Sequence, residues 1–357
     1  MIRFGILGAG RVIQQRYVEV FKEEVKGVKV AAVCDKVKAR ADEVAGRLGA
    51  RPVYDMKEML RDNRIHAVLI ATESGNHYIH ARESIESGKH VIVEKPPALI
   101  PGEIEKNEAL AKRKNVMYAI IFQNRLNPAM QVLKREVEKN RFGKLVLATI
   151  RLRWCRYQEY YEDGWHGTWE MDGGVINQQA IHHIDALQWI CGSVKDVCAA
   201  QSNALNVLEA EDTTVAAVRF ANGALGVIEA TTAARPDDFE ASISIVGEKG
   251  IAVIGGIALN KIHTWRFTEE SPEDRMIPET CSQEVPTGYG LSHGPLLQEI
   301  VDRLESGRLD PPITGADSVP TVRLVHALYR SVETGGWASM SGNAVSDRLG
   351  KKRSGKE

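Results

Sequence analysis

The chain has 357 residues, enough for two domains with separate hydrophobic cores. A hydrophobic share of 43 %, a charged share of 26 % and a net charge of −1 with both signs intermixed argue against nucleic acid or a membrane surface as partner. Cys34, Cys155, Cys191, Cys198 and Cys281 form no CxxC pair and read as reduced thiols of a cytoplasmic protein, and Gly8 and Gly10 interrupt an apolar start that does not read as a signal peptide.

In chain order, Ile2–Leu7 is an apolar strand ending in glycines, followed by a helix over Val12–Lys26. Strand and helix then alternate: strands at Val28–Cys34, Ala67–Ala71, His90–Val93 and Val116–Phe122, helices at Lys36–Gly49, His77–Gly88 and Glu103–Lys114. Such alternation predicts an α/β fold, a parallel sheet with helices on both faces over residues 1–122. Past Gln123 the pattern changes. A helix over Pro128–Asn140 leads to a strand at Leu145–Trp154, a loop and a helix ending at Cys191, and strands then dominate from Val194 to Trp265. Thr213–Phe220 and Ala224–Ala230 flank Asn222-Gly223, a hairpin signal, and Phe239–Val246 and Ile251–Ile254 flank Gly247–Gly250. With helices at Leu296–Ser306 and Val319–Thr334, residues 123–349 are expected to form a second α/β domain on an open, mostly antiparallel sheet. Its uncovered face predicts a homo-oligomer. Residues 350–357 read as a disordered tail.

Gly8-Ala9-Gly10 lies where strand one meets helix one. Gly8 permits the tight turn, and Gly10 lets backbone N–H groups of the turn, with Arg11 and Val12, approach a pyrophosphate. The third glycine of a full GxGxxG is Ile13 here. Asp35 ends strand two, where a carboxylate accepts from ribose hydroxyls and repels a 2′-phosphate, so a Rossmann domain binding NAD rather than NADP is expected. Thr72, Ser74 and His77 follow strand three at the ligand-binding edge; His77 either touches the cofactor or packs at its helix start. Glu94-Lys95-Pro96-Pro97 ends the next strand, and a lysine beside a cationic nicotinamide would titrate below its free value of about 10.4.

Asp172–Cys191 reads as one amphipathic helix after two glycines. At about 100° per residue Gln178, His182, Asp185 and Trp189 share a polar face, while Ala180, Ile184, Leu187 and Cys191 face the core and His183 turns away. That polar face is either the wall of a site or a solvated surface. Six aromatics crowd Trp154–Trp169: Trp154, Tyr157, Tyr160, Tyr161, Trp165 and Trp169. They offer stacking surface for a base, a sugar or the nicotinamide, or an inter-subunit contact. Arg153, Arg156 and Arg235 suit a diphosphate or carboxylate. His182 and His183 are adjacent rather than four apart, and no HExxH or Cys-His cluster occurs, so no metal is expected.

The GAG turn, GKHVIVEKP at Gly88–Pro96 and the H-x-x-D helix together resemble the Gfo/Idh/MocA oxidoreductase family. The resemblance implies that Lys95 and His182 lie beside the nicotinamide and the reacting hydroxyl. Gln178 stands where the family has an Asp four before the His, which shifts acid/base work onto Lys95 and His182. Within the family, FQNRLNPA (Phe122–Ala129), EYY…GWHGTW (Glu159–Trp169), NQQAIHHIDALQW and EATTAARP (Glu229–Pro236) resemble bacterial nucleotide-sugar 3-dehydrogenases. That implies oxidation of the 3-hydroxyl of a UDP-N-acetylamino sugar, the uronate slightly favoured over UDP-N-acetylglucosamine, in a tetramer. It implies cofactor contacts from Glu94, Trp165 and His166, and substrate contacts from Gln123, Arg125, Tyr160, Gln178, Asp185 and the three arginines above. The resemblance has Trp-Arg where this chain has Trp165-His166. Two alternatives stand beside this: another sugar or inositol dehydrogenase of the family, and a non-catalytic NAD sensor or scaffold. Either Lys95 or His182 takes the hydroxyl proton.

Overall fold

A computed structural model describes residues 1–342 and 344–351. Contacts divide it into two units, Met1–Gln123 with Leu291–Val319, and Asn124–Gly290 with the described residues from Pro320 onward.

The first unit opens with β1 (Ile2–Leu7), all but its first two residues buried. Residues 11–24 are helical with widened turns: the N–H groups of Val18 and Val25 reach back five residues, to Ile13 O and Val20 O. Ile13, Tyr17, Val20 and Phe21 are buried there. β2 (Val28–Cys34) is followed by α1 (Lys38–Leu48), which Gly49 closes at φ 61° with N–H bonds to the last carbonyls. β3 (Arg51–Val53) and α2 (Met56–Leu60) were not expected from the sequence. Three residues with a proline show no period, and α2 is a five-residue turn capped by the Asp55 carboxylate. β4 (Ala67–Ile70), α3 (His77–Glu86), β5 (His90–Val93), α4 (Pro101–Lys114) and β6 (Tyr118–Ile120) complete the alternation. The strands run in the order β3-β2-β1-β4-β5-β6, and every pairing is parallel. The order reverses at β1/β4, so the loops after Leu7 and Ile70 flank the crevice where such sheets take ligands.

The second unit contains α5 (Pro128–Glu138), β7 (Leu145–Arg153), α6 (Val175–Gln178), α7 (Ile181–Cys191) and β8 (Val194–Ser202). β9 (Thr213–Phe220), β10 (Leu225–Thr231), β11 (Glu240–Gly247), β12 (Gly250–Gly255), β13 (Lys261–Phe267) and the short α8 (Ile277–Thr280) follow. Its eight strands run β13-β12-β11-β7-β10-β9-β8-β14, with β14 at Ala338–Ser339. All pairings are antiparallel except β7 with β10, so the sheet is mixed but mostly antiparallel. Ile150, Leu152, Ile228, Ile243 and Ile245 are buried on one face, against which α7 packs at β7 and β11. Each such side chain contributes roughly 1.5–3 kcal/mol. Alternation sends Leu147, Val215, Leu225 and Val246 to the other face, where they are exposed.

α9 (His293–Glu305) and α10 (Gly315–Thr334) come late in the chain. The sequence reading kept everything from 123 to 349 together, whereas Leu291–Val319 clusters with the first unit. The cause is local: Ile120 N–H bonds to Ile313 O at 3.1 Å, and α9 packs on β1. At the C-terminus, Gly350 N–H donates to Trp169 O at 2.8 Å, so the start of the expected tail is held. Residues 352–357 lie outside the described residues.

The single helix expected over Asp172–Cys191 is two helices. Ala180 N–H skips back to Val175 O at 2.8 Å, closing α6 with a wide turn before α7 begins. α7 is not amphipathic toward water either: every residue from Ile181 to Cys191 except Trp189 is buried, so its polar side chains line no solvated surface.

Candidate functional site

In the first unit the glycine turn shows why glycine is required. Gly8 has φ 92°, and a Cβ there would sit 2.4 Å from Ala71 O. At Gly10 a Cβ would meet nothing within 4 Å, which leaves backbone open to a close-approaching ligand. Asp35 is tied into the same turn: Oδ2 accepts from Ala9 N–H at 2.8 Å and Oδ1 from Val37 N–H at 2.7 Å. Each oxygen keeps a further lone pair, so glycine turn and carboxylate are presented as one piece. Arg11 is exposed and Val12 half-buried beside it. These residues fit the pyrophosphate and ribose of a dinucleotide.

At the next edge loop Thr72 Oγ1 lies 2.9 Å from His80 Nδ1, and Ser74 is buried. Sequence reasoning passed over the neighbouring ion pair of Lys36 with Glu73 at 2.5 Å, which joins the loops after β2 and β4 and holds the Glu73 carboxyl below its ordinary value. His77 is buried between two carbonyls, with Nδ1 2.7 Å from Pro96 O and Nε2 3.1 Å from Thr72 O. Burial pushes its pKa down to about 4, so the imidazole is neutral and donates to one carbonyl. The packing role, one of two left open by the sequence, is thus present: His77 links the Thr72 and Lys95-Pro96 loops. Lys95 is half-buried, and Glu94 beneath it is buried.

In the second unit, Asp172 of the DGG turn gathers the aromatic loop and α6. Its Oδ2 accepts from Gly167 N–H at 2.9 Å and its Oδ1 from Gln178 Nε2 at 2.7 Å. Gln178 therefore turns toward Asp172, where a continuous helix would have set it beside His182. Gly174 is required because a Cβ would lie 2.2 Å from Glu211 O. Glu211 is wholly buried; Oε1 accepts from Ile176 N–H and Tyr329 O–H, each at 3.2 Å. Burial raises its pKa to about 8. Sequence reasoning missed Glu211, although the Gly173-Gly174 pair was the available signal for a close approach.

His182 lies near the start of α7, 8 % exposed. His183 points into the core at 6.3 Å from the Trp154 ring, and burial pushes its pKa down to about 3. Asp185, one turn on, is held by a two-pronged ion pair, Arg125 Nε to Oδ2 at 2.7 Å and Nη2 to Oδ1 at 2.6 Å, with Thr321 O–H donating to Oδ1. Its charge is balanced inside the protein by the Arg125 guanidinium. Gln123 is buried at the end of the first unit.

Around the aromatic loop, Trp165 stacks on His166 at 3.6 Å and His166 on Tyr160 at 4.2 Å. The Arg156 guanidinium continues the series over Tyr160 and Trp154 while pairing with Asp238 at 2.9 Å. Asp163 Oδ2 fixes His166 Nδ1 at 2.6 Å. Trp165, His166, Tyr160 and Arg156 are thus brought together. Arg153 is not among them. It shares the exposed face of β7 with Arg151, opposite Leu152 and α7, and pairs with Glu229 at 2.6 Å and Glu240 at 3.2 Å. Arg235 lies 4.4 Å over Tyr157 and reaches Asn206 at 3.2 Å.

Residues 2–122 match the oxidoreductase family NAD-binding Rossmann fold, and residues 130–253 match the GFO/IDH/MocA C-terminal domain. The WlbA dehydrogenase from Bordetella pertussis, solved with NADH and UDP-GlcNAcA, is 34 % identical with a TM-score of 0.89 over 95 % of this chain and 97 % of its own. The chain belongs to the Gfo/Idh/MocA oxidoreductase family. The Chromobacterium violaceum WlbA dehydrogenase, also with NADH and UDP-GlcNAcA, is 32 % identical with a TM-score of 0.87, covering 95 % of both chains. Among curated relatives, scyllo-inositol 2-dehydrogenase (NAD(+)) of Bacillus subtilis is 24 % identical over 94 % of this chain and 95 % of its own. As a member, this protein is an NAD-dependent oxidoreductase of sugar- or inositol-type alcohols. The glycine turn and Asp35 are the residues that fit its NAD. No helix among the described residues is long and apolar enough to cross a membrane.

Proposed function

We propose that the protein oxidises the 3-hydroxyl of UDP-N-acetylglucosaminuronate to the 3-keto sugar. The observation that carries this reading is the similarity to two WlbA dehydrogenases that bind NADH and UDP-GlcNAcA, extending over nearly the whole chain. Tyr160 and Arg156, at one end of the stacked run, support it, because a nucleotide sugar presents a base to stack on and anionic groups to pair with, whereas inositol presents neither.

NAD, when bound, supplies the hydride acceptor for C3. Lys95 and His182 are the groups assigned to take the hydroxyl proton, since Asp185 is neutralised by Arg125. Arg125 and Gln178 act by fixing Asp185 and Asp172 respectively. Trp165 and His166 are assigned to the cofactor side, Tyr160, Arg156, Arg235 and Gln123 to the nucleotide sugar. Arg153 joins them only by leaving Glu229 and Glu240. A homo-oligomer, assembled on the exposed sheet face, is part of the same reading.

The test offers stoichiometric holoenzyme UDP-N-acetylglucosaminuronate, UDP-N-acetylglucosamine, free N-acetylglucosamine and myo-inositol, and follows nicotinamide reduction in a single turnover. Reduction with the uronate, weaker with the neutral UDP-sugar and absent with the others, is the expected result. Reduction by inositol or the free sugar alone would replace the nucleotide-sugar reading with another sugar dehydrogenase.

A further inference from the structure

Trp169, the last aromatic of its loop, packs on Tyr329 of α10, edge to face at 5.0 Å between ring centres. The Tyr329 hydroxyl accepts from Gly174 N–H at 2.8 Å, so this pair sits on the Gly173-Gly174 turn that leads into α6. A short segment near the C-terminus closes over both. Leu349 is wholly buried, with Cδ1 3.0 Å from the place a Gly173 Cβ would occupy. Gly350 N–H donates to Trp169 O at 2.8 Å, and the Arg348 guanidinium lies 5.5 Å over the Trp169 ring. The segment has its own anchor on α10. Glu333 accepts from Ser346 O–H at 2.7 Å and from Asp347 N–H at 3.0 and 3.1 Å, and His326 Nδ1 accepts from Ser346 N–H at 3.0 Å. Ser346 Oγ also accepts from the N–H groups of Arg348 and Leu349 at 3.0 and 3.2 Å, which fixes the turn that aims Leu349 inward.

We infer that Leu349 and Gly350 are positioning residues: they hold the end of the aromatic loop and the Gly173-Gly174 turn in the shape that receives the sugar. This rests on reading that loop as part of the substrate site. The link runs through few bonds. The N–H groups of Asp172 and Gly173 both donate to Thr168 O, at 3.0 and 2.7 Å, so turn and loop form one piece. The Asp172 carboxylate in turn holds Gly167 N–H and Gln178 Nε2. Gly167 follows His166, which stacks on Tyr160 at 4.2 Å, so the hold on Gly167 reaches the stacked residues. Leu349 fills the slot that the missing side chain leaves open at Gly173, where φ is 80°. Emptying that slot leaves a void under the turn, and removing the Gly350 N–H takes a donor from the Trp169 carbonyl. The Gly8-Ala9-Gly10 turn and Asp35 belong to the first unit, so NAD binding has its own support.

The test compares full-length wild type with Gly350→Pro, which deletes the N–H to Trp169 O, and Leu349→Asp, which puts a charge into the slot behind Gly173. Each is loaded with NAD. Two quantities are read: amide hydrogen exchange of peptides covering residues 164–178, and the half-saturating concentration of sugar in a single turnover. In both variants exchange over 164–178 should accelerate while peptides of β9 and β10 keep their protection. Half-saturation should rise roughly tenfold, the scale of one lost hydrogen bond or buried contact, with NAD affinity kept. Unchanged exchange over 164–178, or faster exchange with unchanged half-saturation, overturns the inference. Should Leu349→Asp fail to fold, Gly350→Pro alone decides. The sugar is whichever compound of the substrate test the wild type oxidises, and if it oxidises none the exchange alone decides. Failure of the UDP-sugar reading thus shows in the wild type, and failure of this inference only in the variants.

Discussion

At the scale of single residues, Asp35 has two duties that one substitution separates. Its carboxylate holds Ala9 N–H and Val37 N–H, and in the proposed cofactor-binding role its charge would oppose a 2′-phosphate. Asp35→Ala should therefore weaken NAD by roughly 10–100-fold, the scale of a lost charge-assisted hydrogen bond, while weakening NADP much less. Calorimetric titration of both nucleotides checks this, and a wild type that binds NADP as tightly as NAD would refute the assignment. For the chemical step, Lys95→Met and His182→Asn should each retain NAD yet lose about 10²-fold or more in turnover. His183 gives the contrast. It is neutral and buried against Trp154, so His183→Asn should lower thermal stability through a packing defect and leave the turnover of the surviving folded enzyme far less affected. An essential His183 alongside a dispensable His182 would reverse the assignment.

At the scale of elements, the α6–α7 segment is placed by Asp172 and Glu211 more than by its own periodicity. Glu211 yields a pH prediction whose sign follows from burial. Its folded-state pKa is raised to about 8 from an ordinary carboxylate value near 4.5, so the folded state binds the proton more tightly than the unfolded chain. The stability this lends is fully present below the unfolded value and is lost as pH rises through about 8. Glu211→Gln keeps the shape and removes the titration. The melting-temperature difference between wild type and variant should therefore shift against wild type across that window, and a constant difference would show that Glu211 does not titrate there. The Rossmann strands were legible because each is a short apolar run closed by a turn residue, as β1, β2 and β5 show. The one-helix reading of Asp172–Cys191 failed because periodicity cannot register a single N–H that skips to the fifth carbonyl, nor show that the polar side chains face buried partners. Lys95, His182 and the glycine turn stood out as residue types at fixed spacings. Glu211 is distant in sequence from the Ile176 N–H and Tyr329 hydroxyl it holds, so its role needed the fold.

At the scale of the whole molecule, the exposed face of the eight-stranded sheet sets the assembly prediction. Strand register places Ile251, Val246, Leu147 and Leu225 in one row across β12, β11, β7 and β10. Two rows further along the strands, Arg151 of β7 stands opposite Glu229 of β10, and next to that Arg153 stands opposite Glu240 of β11. The face thus grades from an apolar band, with Leu225 56 % exposed, into an internally neutralised lattice of two arginines and two glutamates. An exposed apolar row of this kind is the surface that association covers, and a two-fold contact sets each residue against a patch that contains its own copy. In such a contact Leu225→Lys places like charges in a dry band, whereas in an isolated chain it merely replaces one exposed leucine by a soluble residue. Light scattering should find the wild type larger than one chain and Leu225→Lys smaller, with circular dichroism and NAD binding retained. An unchanged mass would assign the contact to another surface, and a monomeric wild type would remove the oligomer from the proposed function while leaving its chemistry in place.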